Sequence, residues 1–471
     1  IMSTPLPSSA AHQQIVEELT SRWPENRIAP SLGRIQALCD LLGSPQHSAP
    51  VIQVAGTNGK GSTAIMIDAL LRSDGLRTGR FSSPHLVDVT ERICIDGEPI
   101  SHERFDELWD DVKPYVEMVD AQQIDGVSMT FFEVMTGLAY AAFADAPVDV
   151  MIIEVGLGGT WDSTNVVDAA VAVICPIDMD HMHILGSTIE EIAKNKAGII
   201  KPGSTAVVAG QRPEVAQVLV ERCTEVGAKM VLEGVDFSLV ERTQAVGGQL
   251  LRLQGAEGPV GDIHLPLYGM HMAHNAALAM AAVEALLGGR ALNPEVVVDG
   301  FAAVEAPARM ELVRTSPAVV LDTGHNPHGA TATMNALAEN FAFAPTIGVV
   351  AMMGDKDVDG VLKIFRDQMD VIICTQVAST DRGLSAAALA EKARAVFDDE
   401  QIRIANDVPS AIELAVALAD AEPSAGVIVA GSVILAGEAR GLLLQDKPDE
   451  RADPTTAELR TPFDLDGDTE W

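Results

Sequence analysis

An apolar run at 51–54 leads into Gly56, Gly59, Lys60 and Gly61 of the segment VAGTNGKGS, and a helical pattern follows over about 61–72. This order of strand, turn and helix has the form of a phosphate loop. Glycines let backbone amides approach phosphate oxygens, Lys60 adds a point charge, and the helix N-terminus faces the same anion. The pattern is a shortened variant. Val54 stands where the usual motif has its first glycine, and Gly61 takes the usual Ser/Thr place, which moves the hydroxyl to Ser62. Glycine-rich turns also occur where no phosphate binds, so a nucleotide triphosphate site and a plain turn both stand on these residues alone.

Further apolar runs at 148–155, 169–175 and 205–209 alternate with longer helical patterns. They are continuous rather than alternating, as in parallel strands buried on both faces of an α/β sheet. Over 231–267 the segments become short and polar-interleaved, with Gly247, Gly248, Gly255, Gly258 and Gly261, which predicts small antiparallel strands before a helix over about 273–287. After Pro307 a second strand–helix series begins, with strands expected at 318–321, 346–352, 371–374 and 426–430. The boundary falls near Glu305, giving domains at 1–305 and 306–445. The last 26 residues carry nine Asp or Glu and three Pro, and predict a solvated, disordered acidic tail over 446–471.

A chain of 471 residues is long enough for two or three such domains. Its 67 acidic against 32 basic side chains, a formal charge of −35, would repel nucleic acid and anionic membranes, so neither is expected as a partner. Local loops, helix ends and cations can overturn that field, which leaves ATP open. Cys39, Cys94, Cys175, Cys223 and Cys374 are an odd, scattered set without a C-x-x-C pair, and read as reduced, buried thiols of a cytoplasmic protein. The polar N-terminal region, with Glu17 and Glu18, lacks the apolar core of a secretory signal, and no stretch approaches the ~18 apolar residues of a membrane span.

Several residues could carry chemistry. Glu154 ends the apolar strand of VDVMIIEV, where ligands bind in such sheets, and a magnesium ion or a basic partner would offset its desolvation. His181 and His183 in DMDHMHILG read as loop histidines or a metal pair, and Lys194 and Lys196 in AKNKAGIIKPG as exposed helix lysines. DTGHNPH, beginning at Asp322, and Gly431-Ser432 each follow an apolar strand; they are turn chemistry or two walls of a cleft for a second substrate.

Taken together, the segments resemble folylpolyglutamate synthase/dihydrofolate synthase, a branch of the Mur ligase family. They are GTNGKGS at 56–62, SSPHLVDVTERICIDG at 82–97, TFFE at 130–133, EVGLGG at 154–159, Asp180-His181, KAGIIKPG at 196–203, HNAALA at 274–279, Arg309, DTGHNPHGA at 322–330 and GSV at 431–433. The resemblance implies an N-terminal P-loop ATPase domain of the Mur-ligase type and a smaller C-terminal Rossmann-like α/β domain. It also implies that Asn58, Gly59, Lys60, Gly61 and Ser62 cradle phosphate, that Asn275, Arg309 and Asp322 contact nucleotide, and that Ser83, Glu154 and His181 hold magnesium. Lys196 would be carbamylated and help hold a second magnesium ion. His325 and Ser432 match positions for the incoming glutamate; Thr130, Phe131, Phe132 and Glu133, with Trp161, Asp162 and Ser163, match pterin-substrate loops. At 160–163 Thr-Trp-Asp-Ser replaces a more usual Arg-Leu-Asp-Ala, which bears on pterin selectivity.

The implied enzyme is a monomeric ligase. ATP phosphorylates the carboxylate of dihydropteroate or a reduced folate, and L-glutamate then attacks the acyl phosphate, with Lys60, Lys196 and His325 central to the chemistry. The alternatives are another Mur-type amide ligase and a P-loop ATPase switch, from which turnover that requires both pterin and glutamate would separate it.

Overall fold

The computed structural model describes residues 9–23 and 29–445, so the acidic tail expected over 446–471 lies outside the described residues. Eight strands form the first sheet: β1 Val51–Ala55, β2 Thr78–Phe81, β3 Ile93–Ile95, β4 Glu98–Pro99, β5 Val150–Glu154, β6 Val171–Ile174, β7 Thr205–Val208 and β8 Lys229–Leu232. Their order is β4-β3-β2-β5-β1-β6-β7-β8, parallel except for the β2–β3–β4 edge. Helices cover both faces. Ile52, Val54, Val150 and Ile152 point into a core with the helices Lys60–Ser73 and Met270–Leu286, whereas Val51, Met151 and Ile153 point into the opposite core with the helices His102–Gln122 and Phe131–Asp145. This two-sided burial is why the runs are continuously apolar: neither side of the pleat meets water.

β9 Ser238–Ala245, β10 Gly248–Gly255 and β11 Gly258–Leu265 form the expected antiparallel sheet. One boundary is corrected: the expected small sheet began at 231, but β8 pairs parallel with β7 and belongs to the large sheet. The apolar residues Met230–Leu232 are half-buried there, as an edge strand allows. The third sheet holds β12 Arg309–Thr315, β13 Ala318–Asp322, β14 Thr346–Val350, β15 Val371–Cys374, β16 Ile402–Ile404 and β17 Gly426–Ala430, ordered β12-β13-β17-β14-β15-β16 and parallel except for β12. It too divides its side chains between two cores, with Val319, Leu321 and Val349 on one side and Val320, Val350 and Ile428 on the other.

All five cysteines are buried and free. No helix among the described residues is long and apolar enough to cross a membrane. The carboxyl ends of β1 and β5 in the first sheet, and of β13 and β17 in the third, open into one cleft, the position at which open α/β sheets bind ligands.

Candidate active site

The cleft has a volume of about 1010 Å³ and is lined from both halves of the chain. At its floor, Gly59 (φ 86°) turns the chain out of β1 into the helix Lys60–Ser73. A Cβ on Gly59 would stand 2.8 Å from Asn275 Oδ1, and one on Gly56 only 2.6 Å from Cys175 Cβ, so neither position has room for a side chain. Thr57 fastens the turn to the exit of β6: its N–H donates to Pro176 O and its hydroxyl to Asp178 O, both at 3.0 Å. Lys60 Nζ donates to the carbonyls of Gly56 (3.2 Å) and Thr57 (3.5 Å). The result is a concave turn with a cation at its mouth, which fits a polyphosphate.

Glu154 at the end of β5 is buried beneath this turn, and its carboxylate would lie 3.6 Å from a Cβ on Gly61. It accepts from Ser83 N at 3.3 Å; burial raises its pKa, against the pull of Lys60 and Arg309. His181, in left-handed backbone conformation (φ 50°), reaches the same cleft. Burial and then Lys356 bring its pKa down to about 4, so at neutral pH the imidazole is an uncharged potential ligand. A carboxylate, a hydroxyl and a neutral imidazole that line one cleft with a phosphate cradle are donors that could hold a magnesium ion shared with phosphate oxygens.

Lys196 is not the exposed helix lysine its segment suggests. It is 4% exposed, its Nζ donates to Gly56 O at 2.7 Å, and burial followed by repulsion from Lys60 lowers its pKa to about 7. It lines the cleft, whereas Lys194 is absent from that lining.

From the second half, the segment 322–330 closes over the phosphate loop. Asn326 Nδ2 donates to Asn58 Oδ1 at 3.0 Å, and Asn58 Nδ2 donates to His328 Nδ1 at 2.9 Å. Both Asp322 oxygens are already engaged: Oδ1 accepts from Gly324 N (2.8 Å) and the Thr333 hydroxyl (2.5 Å), and Oδ2 from Met310 N (3.1 Å). Its carboxylate therefore shapes the segment. His325 donates from Nδ1 to Thr323 O, and burial with Lys356 nearby lowers its pKa to about 4. Ser432 Oγ accepts from Ile434 N and so caps the helix Val433–Gln445 at the cleft wall. Arg309 and Asn275 also reach the cleft.

The 130–133 segment divides. Thr130 and Glu133 form a capping box for the helix Phe131–Asp145, and Glu133 also pairs with the buried Arg34 (2.9 Å). Thr130, Phe132 and Glu133 all line the cleft. Phe131, expected beside substrate, instead packs in the core with the Arg92 guanidinium 5.0 Å from its ring, because N1 of this helix points inward. Trp161, Asp162 and Ser163 all line the cleft, with Asp162 holding Leu157 N and Thr164 N, and Ser163 bonded to Thr136. His183 falls in the short helix Met182–Leu185.

Residue-level reading missed Lys356, whose Nζ crosses from the second half to Asp180 (3.0 Å) and His181 Nε2 (3.1 Å). Its signal was a charged GDKD just beyond the end of β14. Arg34 and His271 were missed as well, and nothing local marks them, whereas His328 belongs to the DTGHNPH segment already singled out.

The chain matches two family models: the Mur ligase middle domain over residues 114–283 and the Mur ligase glutamate ligase domain over 308–433. It is 45% identical to the dihydrofolate synthase/folylpolyglutamate synthase of Mycobacterium tuberculosis over 94% of this chain and 96% of that protein, and 33% identical to the Escherichia coli protein of the same name over 85% and 88%. Among solved structures it resembles M. tuberculosis folylpolyglutamate synthase complexed with ADP (TM-score 0.89, 45% identity, 92% of this chain and 98% of that one). It also resembles E. coli FolC in complex with DHPP and ADP (TM-score 0.80, 30% identity, 94% and 99%).

Proposed function

The chain belongs to the Mur ligase family, in its dihydrofolate synthase/folylpolyglutamate synthase branch, and from that membership we propose that it adds L-glutamate to dihydropteroate and to reduced folates at the expense of ATP. It is an ATP-dependent ligase. The observation that carries the proposal is the meeting of the Asn58 phosphate loop with the 322–330 segment over one cleft that also contains Lys196 and Trp161.

A carboxylate is a poor acyl donor, so the acceptor carboxylate is phosphorylated first and the glutamate amine then displaces phosphate. Asn58, Gly59, Lys60, Gly61 and Ser62 hold the triphosphate, with Asn275 and Arg309 beside it; Lys60 and Arg309 oppose charge that grows on phosphoryl and carbonyl oxygens. Ser83, Glu154 and His181 would hold magnesium, which when bound screens the phosphate oxygens. Lys196 has the nitrogen needed for carbamylation: at a pKa of about 7 a large fraction of it is neutral, so its lone pair can add to carbon dioxide, forming the N–C bond and releasing a proton. The resulting anion would complete a second magnesium site. His325 and Ser432 lie on the wall contributed by the second half and would receive glutamate, while Phe132 and Trp161 present faces for the flat pterin. Closure of the two halves would keep water from the acyl phosphate. On this reading the ligase acts in the cytoplasm, as a monomer, on small molecules.

The test is phosphate release by the purified chain with ATP, glutamate and either dihydropteroate or tetrahydrofolate, with each product identified by mass. Glutamate addition to both acceptors is expected. Addition to one alone restricts the enzyme to that synthase, and addition to neither overturns the assignment.

A further inference from the structure

An incoming glutamate brings two carboxylates into the cleft, yet His325 and Ser432 offer them no positive charge: burial, with Lys356 nearby, lowers the His325 pKa to about 4, and Ser432 has only a hydroxyl. A carboxylate drawn out of water needs a cation or several donors. The cationic side chains that line the cleft are Lys60, Arg92, Lys196, Arg309, Lys356 and Arg382. Lys60 and Arg309 are committed to the triphosphate. Lys196 is held at Gly56 O, Lys356 at Asp180, and Arg92 at His85 Nδ1 (2.8 Å) and the Phe131 ring. Given the glutamate ligase activity proposed above, the geometry points to Arg382 as the residue that binds the side-chain carboxylate of the incoming L-glutamate and selects it over uncharged analogues.

The third sheet sets the position. Its central order, β13-β17-β14-β15, carries His325 beyond β13, Ser432 beyond β17, Asp355 and Lys356 beyond β14, and Ser379 and Arg382 beyond β15, all in the cleft lining. The phosphate loop meets this row at its β13 end, where Asn58 bonds with Asn326 and His328. The acyl phosphate forms on that side, so the attacking amine and the α-carboxylate one carbon away stay near β13 and β17. The side-chain carboxylate, at the far end of the amino acid, extends along the row toward β14 and β15. At about 4.8 Å per strand the exits of β17 and β15 are about 10 Å apart, a gap that an extended glutamate and an arginine side chain cover together.

Arg382 is held ready for such a partner. Its side chain is 37% exposed, and its guanidinium bonds, among the described residues, to Asp355 alone, itself 33% exposed, from Nη2 to Oδ2 at 2.9 Å. A partly solvated pair of this kind is weak, and it leaves the rest of the N–H fork for the two-bond grip that arginine gives a carboxylate. The backbone beneath is braced. Arg382 O accepts from Gly354 N (3.0 Å), and Leu384 N donates to Met352 O (2.9 Å). Glu438 Oε1 accepts from Ala378 N and Ser379 N, both at 3.0 Å, and from the Ser379 hydroxyl at 2.7 Å. Only the guanidinium has to swing, and Asp355 keeps it in place until the substrate carboxylate displaces that bond.

The experiment compares L-glutamate with L-glutamine and with the α-amide of glutamate as the attacking amino acid, on the full chain with ATP and whichever pterin acceptor the wild type extends. The wild type should prefer glutamate to glutamine by about 10²-fold or more in kcat/KM, because glutamine offers Arg382 no charge. Arg382→Gln should raise the glutamate KM about 10- to 100-fold at unchanged ADP affinity, and bring the glutamate-to-glutamine ratio within about 10-fold. Arg382→Lys should recover part of the affinity, since the charge returns without the fork. Asp355→Asn should keep or lower the glutamate KM, whereas loss of a merely structural ion pair would harm both variants alike. An unmoved glutamate KM in Arg382→Gln, an unchanged ratio, or equal losses in Arg382→Gln and Asp355→Asn overturns the assignment. So does a change in discrimination against the α-amide in place of glutamine, which would put Arg382 at the α-carboxylate. A wild type that adds glutamate to neither pterin is a different failure: it refutes the ligase reading and, with it, the substrate to which Arg382 is assigned.

Discussion

Burial of Lys196 beside Lys60 removes the proton that an exposed lysine keeps up to about 10.5, and the proposed chemistry depends on this. Lys196→Ala should leave a folded chain, because a desolvated amine is deleted, yet lower kcat by about 10²-fold or more, the scale of losing one electrostatic stabiliser. Small carboxylates should restore part of the rate; wild-type turnover without them would refute the role. The pH dependence has a definite sign. The folded pKa is lowered from 10.5 to about 7, so the unfolded chain binds the extra proton between those values, and the unmodified protein gains stability as pH rises across that window. Denaturant midpoints in CO2-free buffer should follow this rise in the wild type and less so in Lys196→Ala. Glu133 makes the complementary case. Its carboxylate compensates Arg34, which is 1% exposed, so Glu133→Ala strands a buried cation and should cost about 3–5 kcal/mol in urea unfolding. A loss confined to pterin affinity, with stability intact, would show that its role is substrate contact. Residue identity was legible at Lys60 and Glu154, whose neighbours in sequence are the structural context. Local pattern alone did not mark Lys196, which only the family resemblance singled out, or Arg34, and the burial of both is decided by partners 140 and 99 positions away.

At the scale of elements, the alternation of continuous apolar runs with helical patterns predicts both parallel sheets, because a strand covered on two faces has no polar side to show. The strands left unpredicted were β2, β3, β4, β12 and β16: β2 has four residues, β3 and β16 three and β4 two, while β12 is the antiparallel edge of its sheet. Runs this short, or exposed along an edge, do not impose a period. Contacts between elements were also beyond local pattern, and the helix Val433–Gln445 provides a test. A Cβ added to Gly437 would lie 2.0 Å from Leu86 O, so this helix touches the backbone of the segment that carries Ser83. Gly437→Ala should push the two apart, costing about 1–3 kcal/mol of stability as overpacking does, and lower kcat while nucleotide affinity, set at Gly59 and Lys60, holds. Isothermal titration with ADP beside turnover measurements checks this; unchanged kcat would mean that the contact yields without moving the cleft wall.

Across the whole molecule, the two halves meet at the cleft through polar groups, while Leu86 and Tyr268 of the first half also pack on apolar residues of the second. Lys356 with Asp180, Asn326 with Asn58 and His328 with Asn58 are all bonds between the phosphate-binding half and the second half. Polar, directional contacts of this kind can break and reform as substrates enter, whereas an apolar seam would hold the halves together permanently. Lys356 is the strongest of the three. At 9% exposure it faces Asp180 at 13%, it draws the Asp180 pKa far below the usual carboxylate range, and it helps hold His181 neutral. Lys356→Ala leaves Asp180 in a partly buried place with Asn326, His181 and His325 near it but no lysine, which should disfavour the closed arrangement by about 2–5 kcal/mol. Three readouts should then move together: small-angle scattering should report a larger radius of gyration, the His181 pKa should rise from about 4 in an NMR titration, and turnover should fall with glutamate KM raised. Nucleotide affinity should change little, because the phosphate loop is fastened to the first half through Thr57, Pro176 and Asp178. A variant with wild-type scattering and kinetics but a raised His181 pKa would show that Lys356 tunes the histidine without holding the halves together.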